Sequence, residues 1–276
     1  MVSLVTVGNE RSFAGKYCLV TGGTQGLGEA TARRFAQMGA AGIVITGRNA
    51  TKGKAVESAL RELGTHALYF QADLGKSAEC QGVIEAAERE FGQVDVLVNA
   101  AGSTQRGSIF DSTAEDFDQI MAVNARAPFL LMQGVIALMQ RKGVKGSIVN
   151  VSSVVSAGGP EFLCPYSASK AALDALTRNI AYAVMWSNIR VNAVSPGWID
   201  TPGEHQTRVS FHGAAETWLE EAEASQPFGR LIKVDELARM ITYLASDESG
   251  VMTGSIVHYD QSVPGAGNPP QPVAGT

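Results

Sequence analysis

Short runs rich in Val, Ile and Leu alternate along the chain with longer stretches in which apolar residues recur every three or four positions. The runs are Tyr17 to Val20, Gly42 to Thr46, Ala67 to Gln71, Val94 to Asn99, Gly146 to Val151, Ile189 to Ser195 and Ser255 to Tyr259. They carry little polar alternation, which fits strands buried on both faces, and they predict seven strands. The stretches Leu27 to Met38, Lys52 to Leu63, Ala78 to Phe91, Glu115 to Gln140, Pro165 to Trp186 and Val234 to Leu244 predict the helices between them. Strictly alternating elements of this kind predict an α/β fold, doubly wound, with a seven-stranded parallel sheet covered by helices on both faces. Right-handed crossovers bring every strand's C-terminal end to one edge, where open α/β sheets bind ligands. Thr21, Asp73, Asn99, Ser153 and Pro196 stand at or just past those ends and are expected to converge there.

Composition narrows the function classes. A chain of 276 residues is long for one domain, but a doubly wound sheet reaches that size, so 1–276 is read as one unit. Hydrophobic residues make up 45%, enough for a large core, while the net charge of −5 and the absence of a basic cluster argue against a nucleic-acid partner. No long apolar run suggests a membrane span, and no basic, then apolar, N-terminal segment suggests export. Cys18, Cys80 and Cys164 have neither paired nor metal-ligand spacing, which points to reduced thiols in the cytoplasm, and no metal site is expected.

Two clusters carry candidate chemistry. The first strand runs into Thr21-Gly-Gly-Thr-Gln-Gly-Leu-Gly28, a glycine-rich turn that opens a helix. Without Cβ atoms in the way, backbone amides and the positive helix end can approach a pyrophosphate, so Gly22, Thr24, Gln25, Gly26, Leu27 and Gly28 are candidate dinucleotide contacts. The spacing Gly-x-x-x-Gly-x-Gly differs from the usual Gly-x-Gly-x-x-Gly. In the second cluster, Tyr166 and Lys170 stand four apart on a predicted helix, with Ser153 at the polar end of Ser147-Ile-Val-Asn-Val-Ser-Ser153. Positions i and i+4 share a helix face, so the Lys170 ammonium would lie near the Tyr166 phenol and favour its ionised form. Taken alone, such a pair also fits an ordinary helix surface.

In their order and spacing these residues resemble the short-chain dehydrogenase/reductase family, over about Gly15 to Asp260. The matching pieces are the glycine turn, Asp73-Leu74, Asn99-Ala-Ala-Gly102, Asn124, Ser153, Tyr166-x-x-x-Lys170, and Pro196-Gly197 followed by Thr201. Two departures are Ala100, where the family usually has Asn, and Asp260-Gln-Ser262 in place of Asp-Gly-Gly. The resemblance implies a Rossmann-type fold and hydride transfer between nicotinamide C4 and an alcohol or carbonyl carbon. It makes Tyr166 the acid/base, with Ser153 holding the reacting oxygen. Lys170 would lower the phenol's pKa and hold the nicotinamide ribose, while Asn124 would hold a water leading from Lys170 to solvent. It also implies that Asp73 and Leu74 meet the adenine, that Asn99, Ala100, Ala101 and Gly102 line the adenosine ribose, and that Pro196, Gly197, Ile199 and Thr201 meet the nicotinamide.

Cofactor choice rests on Ile45-Thr-Gly-Arg-Asn49. No carboxylate stands where an NAD-selecting acid would grip the ribose, whereas Arg48, beside Gly47 and Asn49, can accommodate a 2′-phosphate. NADP is therefore preferred, with NAD as the alternative if Arg48 stacks on adenine or faces solvent. Residues 202–230 are read as a substrate lid with Glu204, His205, Arg208, His212, Trp218 and Glu220. Its polarity points to a small-molecule substrate such as a sugar, polyol or hydroxy-ketone, unless the charges form the lid's outer face. Cys164, with no His nearby in sequence, is read as a packed or pocket-lining thiol. The alternatives are a 3-oxoacyl-carrier-protein reductase, for which Arg126, Arg141 and Lys142 would be docking residues, and a non-catalytic NADP-sensing protein. The apolar stretches 115–140 and 165–186 suggest a homotetramer or homodimer. The Pro/Gly-rich tail 264–276 is read as an arm across a subunit contact or as disordered.

Overall fold

A computed structural model describes residues 12–215, 217–263 and 266. Three β/α units open the chain: β1 (Tyr17–Thr21) leads into α1 (Gly26–Gln37), β2 (Gly42–Gly47) into α2 (Ala50–Glu62), and β3 (His66–Gln71) into α3 (Ser77–Phe91). After β4 (Val96–Asn99) come α4 (Ala114–Met121), one π-helical turn (Ala122–Arg126) and α5 (Ala127–Lys142). β5 (Ser147–Val151) precedes the long α6 (Cys164–Val184), and β6 (Arg190–Pro196) leads to a short strand, β7 (Ile199–Asp200). The chain then forms α7 (Pro202–His212), α8 (Trp218–Ala224), β8 (Ile232–Lys233), α9 (Val234–Ala245) and β9 (Ile256–Tyr259).

Seven strands form one parallel sheet in the order β3-β2-β1-β4-β5-β6-β9. The predicted seven runs are these seven strands. Strand order reverses between β1 and β4, the switch point where a crevice opens above the strand ends. Leu19, Ile43, Ile45, Leu97, Ile148 and Val149 are fully buried, as a sheet covered on both faces requires. One face packs against Phe35 of α1, Val56 and Leu60 of α2, and Leu237, Ile241 and Leu244 of α9. The other packs against Val83 and Ile84 of α3, Leu131, Met132 and Val135 of α5, and Ala181 and Val184 of α6. Each fully buried aliphatic side chain contributes roughly 1.5–3 kcal/mol, so this two-sided core holds the crevice edge rigid.

Several expectations change. The single helix expected at 115–140 is interrupted by the π turn, because Pro128 cannot donate to the carbonyl of Asn124 four residues back. Within the continuous run Ala114–Lys142 one 18-residue window has a mean hydropathy of 1.4, apolar enough by length and composition alone for a membrane span. Half of that window is buried, and α5 packs against α3 and the sheet. A second, two-stranded sheet pairs β7 with β8, which a two-residue strand is too short to announce by periodicity. Despite Gln261 and Ser262, β9 pairs in regular register with β6. Gln261 accepts from Phe228 N (2.8 Å) and donates to Arg230 O (2.6 Å), tying the strand's end to the end of segment 202–230. The tail expectation for 264–276 lies, apart from Ala266, outside the described residues.

Candidate active site

The crevice above the strand ends is a cleft of about 820 Å³. Its floor is set by Thr21, whose hydroxyl accepts from both Ala100 N and Ala101 N at 3.1 Å and so ties the end of β1 to the end of β4. Gly22 has φ +66°, and a Cβ there would stand 2.9 Å from the Ala101 backbone. At Gly28 a Cβ would fall 2.3 Å from Gly22 O, so only glycine lets α1 start this close to the turn. Among the expected cofactor residues, all but Asn99 line the cleft: Gly22, Thr24, Gln25, Gly26, Leu27, Gly28, Arg48, Asn49, Asp73, Leu74, Ala100, Ala101, Gly102, Tyr166, Lys170, Pro196, Gly197, Ile199 and Thr201.

Asn99 stands behind the wall. It is 2% exposed, and its amide donates to Asn150 Oδ1 (2.9 Å), while Asn150 Nδ2 donates in turn to Thr177 Oγ1 (2.9 Å). Its side chain therefore belongs to a buried polar chain between β4, β5 and α6, and its own Oδ1 has no partner among the described residues. Near β2, a Cβ at Gly47 would come within 2.8 Å of the Thr24 side chain, which would have to move to admit one. Arg48 is exposed at the rim, and Lys52, one turn into α2, donates to Gln25 Oε1 (2.5 Å) beside it. Asn49 caps α2 by accepting from Lys52 N (3.0 Å). Asp73 accepts from Gly75 N (3.1 Å) in a tight turn.

At the other end stand Ser153, Tyr166 and Lys170. Ser153 follows β5 and is hydrogen-bonded to the Tyr166 hydroxyl. Lys170 lies one turn beyond Tyr166 on α6, 5.6 Å from the ring centroid, and donates to Val151 O (2.8 Å). Asn124, wholly buried at the middle of the π turn, braces this corner. Its Oδ1 accepts from Ser103 N (2.7 Å), while its amide donates to Ser103 O (2.9 Å) and Ser169 Oγ (3.0 Å). The widened turn thus places Asn124 between the loop after β4 and α6, as π turns commonly do beside functional sites.

Electrostatics differ from the sequence expectation. The Tyr166 ring borders the cleft but its hydroxyl is desolvated, and burial holds the phenol above its ordinary value. The Ser153 hydrogen bond and the Arg106 guanidinium pull the other way without reversing the shift, and Glu204 adds to the rise. Lys170 does not lower it in this geometry. Burial pushes Lys170 itself down to about 8, against Asp174, so its charge fades before the alkaline range in which a phenol ionises. Cys164 is exposed at the start of α6 and does not line the cleft.

A family model described as enoyl-(acyl carrier protein) reductase matches residues 22–262. The chain belongs to the short-chain dehydrogenase/reductase family. Within it, the chain is 39% identical over 249 residues to an uncharacterized oxidoreductase of Thermotoga maritima, covering 90% of this chain and 97% of that relative. A 3-oxoacyl-(acyl-carrier-protein) reductase of the same organism is 37% identical, over 89% of this chain and 96% of its own. Levodione reductase superposes with a TM-score of 0.84 at 29% identity, over 90% of this chain and 97% of that one.

What the family motifs do not mark is the wall facing Ser153 and Tyr166. There Phe162, Leu163 and Trp198 meet Arg106, Glu204 and Arg208. Glu204 Oε1 accepts from Arg208 Nε (3.0 Å), Trp198 Nε1 (3.0 Å) and, at 3.5 Å, Arg106. The Arg208 guanidinium lies 4.2 Å from the Trp198 ring centroid. Below it, Lys233 joins Asp200 (2.9 Å) and Glu223 (2.8 Å), and Asp200 also meets His205 (3.0 Å), which sits edge-on to Trp218. This second cluster fixes α7 and α8 to the β7–β8 base. Arg106 had no signal in the sequence except its position just past the end of β4.

Proposed function

We propose that the protein is an NADP(H)-dependent alcohol dehydrogenase or ketone reductase acting on a small polar substrate. The observation that carries this reading is the meeting of Ser153, Tyr166 and Lys170 at one end of a cleft whose other end presents a Cβ-free glycine turn. The residues fit a dinucleotide. The turn leaves backbone amides open to a pyrophosphate at the start of α1, and Ala101 and Gly102 leave room for a ribose. Gly47 with Arg48 and Lys52 favours a 2′-phosphate over a bare 2′-hydroxyl, since two cations border that corner and no acid can stand at Gly47 without moving Thr24. A nicotinamide held between Lys170 and Thr201 would supply or accept hydride.

The chain's own part is to bind, orient and move one proton. Ser153 holds the substrate oxygen, and Tyr166, hydrogen-bonded to it, gives that oxygen a proton in reduction or takes one in oxidation. A phenol kept protonated by burial suits the acid role at neutral pH. Lys170 holds the ribose side of the cofactor, and Asn124 fixes the loop at Ser103 that forms the cleft's roof. Polar groups at the substrate wall, in a cleft also lined by Phe162 and Trp198, favour a small molecule with several oxygens.

Self-association and compartment complete the reading. An apolar groove lined by Met121, Phe129, Ala172, Ala175 and Leu176, together with the exposed Tyr182 and Trp186 further along the same stretch of chain, favours a homodimer or homotetramer. Light scattering at micromolar protein is expected to give more than the monomer mass, and a monomer would contradict it. Three free cysteines favour a reducing compartment such as the cytoplasm.

A second reading, a 3-oxoacyl-carrier-protein reductase that reduces the 3-oxo group of a carrier-bound acyl thioester, is favoured by the Thermotoga maritima relative and by the carrier protein in the description of the matching family model. Of the basic residues it would need, Arg141 is held by both carboxylate oxygens of Glu88 (2.8 Å each) and Arg126 by Gly75 O (2.5 Å). Following the dihydronicotinamide absorbance with NAD(H) and NADP(H) over alcohols, ketones and 3-oxoacyl thioesters tests both. Turnover of small alcohols or ketones with NADPH is expected, and turnover of thioesters alone would overturn the first reading.

A further inference from the structure

The guanidinium of Arg106 is 12% exposed at its side chain, yet none of its bonds is short. Its Nε reaches His212 Nε2 at 3.3 Å, one terminal nitrogen reaches Thr104 O at 3.5 Å, and the other reaches Glu204 Oε1 at 3.5 Å. All three stand at the outer limit of hydrogen bonding, for a group with five N–H donors. A desolvated cation held so loosely is costly unless something else completes its shell.

The neighbouring groups do not. Glu204 is already engaged through the same oxygen by Arg208 and Trp198, so two guanidiniums share one carboxylate. His212 adds no compensating charge, since burial and the two arginines hold its imidazole in the neutral form. Among the described residues the positive charge is therefore unmatched, and it faces the cleft beside Tyr166, whose phenol feels Arg106 directly. Both guanidiniums also lie over aromatic rings, Arg106 at 5.6 Å from the Phe162 centroid and Arg208 at 4.2 Å from that of Trp198, which orients their planes.

We propose that the substrate carries a carboxylate, bound by Arg106 with help from Arg208, while its hydroxyl or carbonyl carbon meets Ser153 and Tyr166. The assignment rests on the hydride-transfer reading of this cleft and narrows it from polar molecules in general to hydroxy acids and oxo acids. A planar carboxylate matches the guanidinium fork and gives charge-assisted bonds that a sugar or polyol hydroxyl cannot equal. Arg106 belongs to the loop after β4 and Arg208 to α7, so the bound carboxylate would also bridge the fixed wall and the segment over it.

The test pairs each acid with its uncharged isostere. The protein is assayed with NADP(H), and in parallel with NAD(H), on 3-hydroxybutanoate and 4-hydroxycyclohexanecarboxylate, each beside its primary amide, and on the corresponding oxo compounds. Intrinsic tryptophan fluorescence of the NADP-loaded protein gives binding of the same compounds without turnover, because Trp198 contacts both Glu204 and Arg208. For at least one pair the acid is expected to exceed the amide in kcat/KM and in affinity by about 10- to 100-fold. Arg106→Met should abolish that preference mainly through KM, and Arg106→Lys, which keeps the charge and loses the fork, should restore part of it. Acids and amides bound and turned over alike by the wild type would overturn the carboxylate assignment and leave the hydride-transfer reading standing. No turnover of any alcohol or ketone with either cofactor, together with equal binding of acid and amide, would overturn both.

Discussion

Arg48→Ala separates the two cofactors most cleanly. Arg48 is exposed at the cleft rim, and no described side-chain bond commits its guanidinium, while its carbonyl accepts from Gln71 (2.9 Å) and so keeps the backbone placed without it. The variant should therefore fold normally and lose one phosphate contact. A charge-assisted contact of this kind contributes roughly 1.5–3 kcal/mol, which corresponds to about a 10- to 150-fold rise in the Kd for NADPH. NADH has no 2′-phosphate and should change by less than about threefold, as expected where only a rim contact is lost. Lys52 is partly engaged with Gln25, so Lys52→Ala should cost less than Arg48→Ala. Calorimetric titration of both cofactors into wild type and variants measures each Kd. Equal losses for NADPH and NADH would refute the 2′-phosphate role, and an unchanged NADPH Kd would show that Arg48 faces only solvent.

Two further predictions concern the glycine turn and the buried lysine. Gly28→Ala would place a Cβ 2.3 Å from Gly22 O, so urea melts should show a loss of about 1–3 kcal/mol or more, with weakened NADP binding, and a variant as stable as wild type would contradict the packing. Lys170 sits at about 8 in the folded protein against about 10.5 unfolded, so between those values the unfolded chain holds the extra proton and wild-type stability should rise with pH relative to Lys170→Met. Melts across that window should show a slope of about 1 kcal/mol per pH unit, and a flat difference would contradict the desolvated ammonium.

The sheet was legible in the sequence because buried parallel strands leave uninterrupted apolar runs, and all seven such runs pair as expected. The glycine turn and the Tyr166 to Lys170 spacing were legible because each needs specific residue types at fixed offsets. Asn124 was visible as an Asn in a helical stretch, but the π turn that aims it depends on Pro128 and on partners at Ser103 and Ser169, distant in sequence. Asn99 is a motif position whose side chain turns away from the cleft to Asn150, an orientation that spacing alone does not give. Arg106 left no local trace, since its burial comes from Phe162, Glu204 and His212, which reach it from two other segments. The sign of the Tyr166 shift was missed for a related reason. Spacing put Lys170 nearby, but only the folded chain shows its ammonium turned to Val151 O and itself weakened by burial.

The most direct measurement is turnover of Tyr166→Phe on a substrate the wild type reduces or oxidises, beside its NADPH affinity. The substitution keeps the ring that borders the cleft and removes only the hydroxyl bonded to Ser153. Turnover is expected to fall by roughly 10²–10⁴ with the Kd for NADPH nearly unchanged. A Tyr166→Phe protein with turnover within a fewfold of wild type would contradict the assignment of Tyr166 as the proton donor and acceptor.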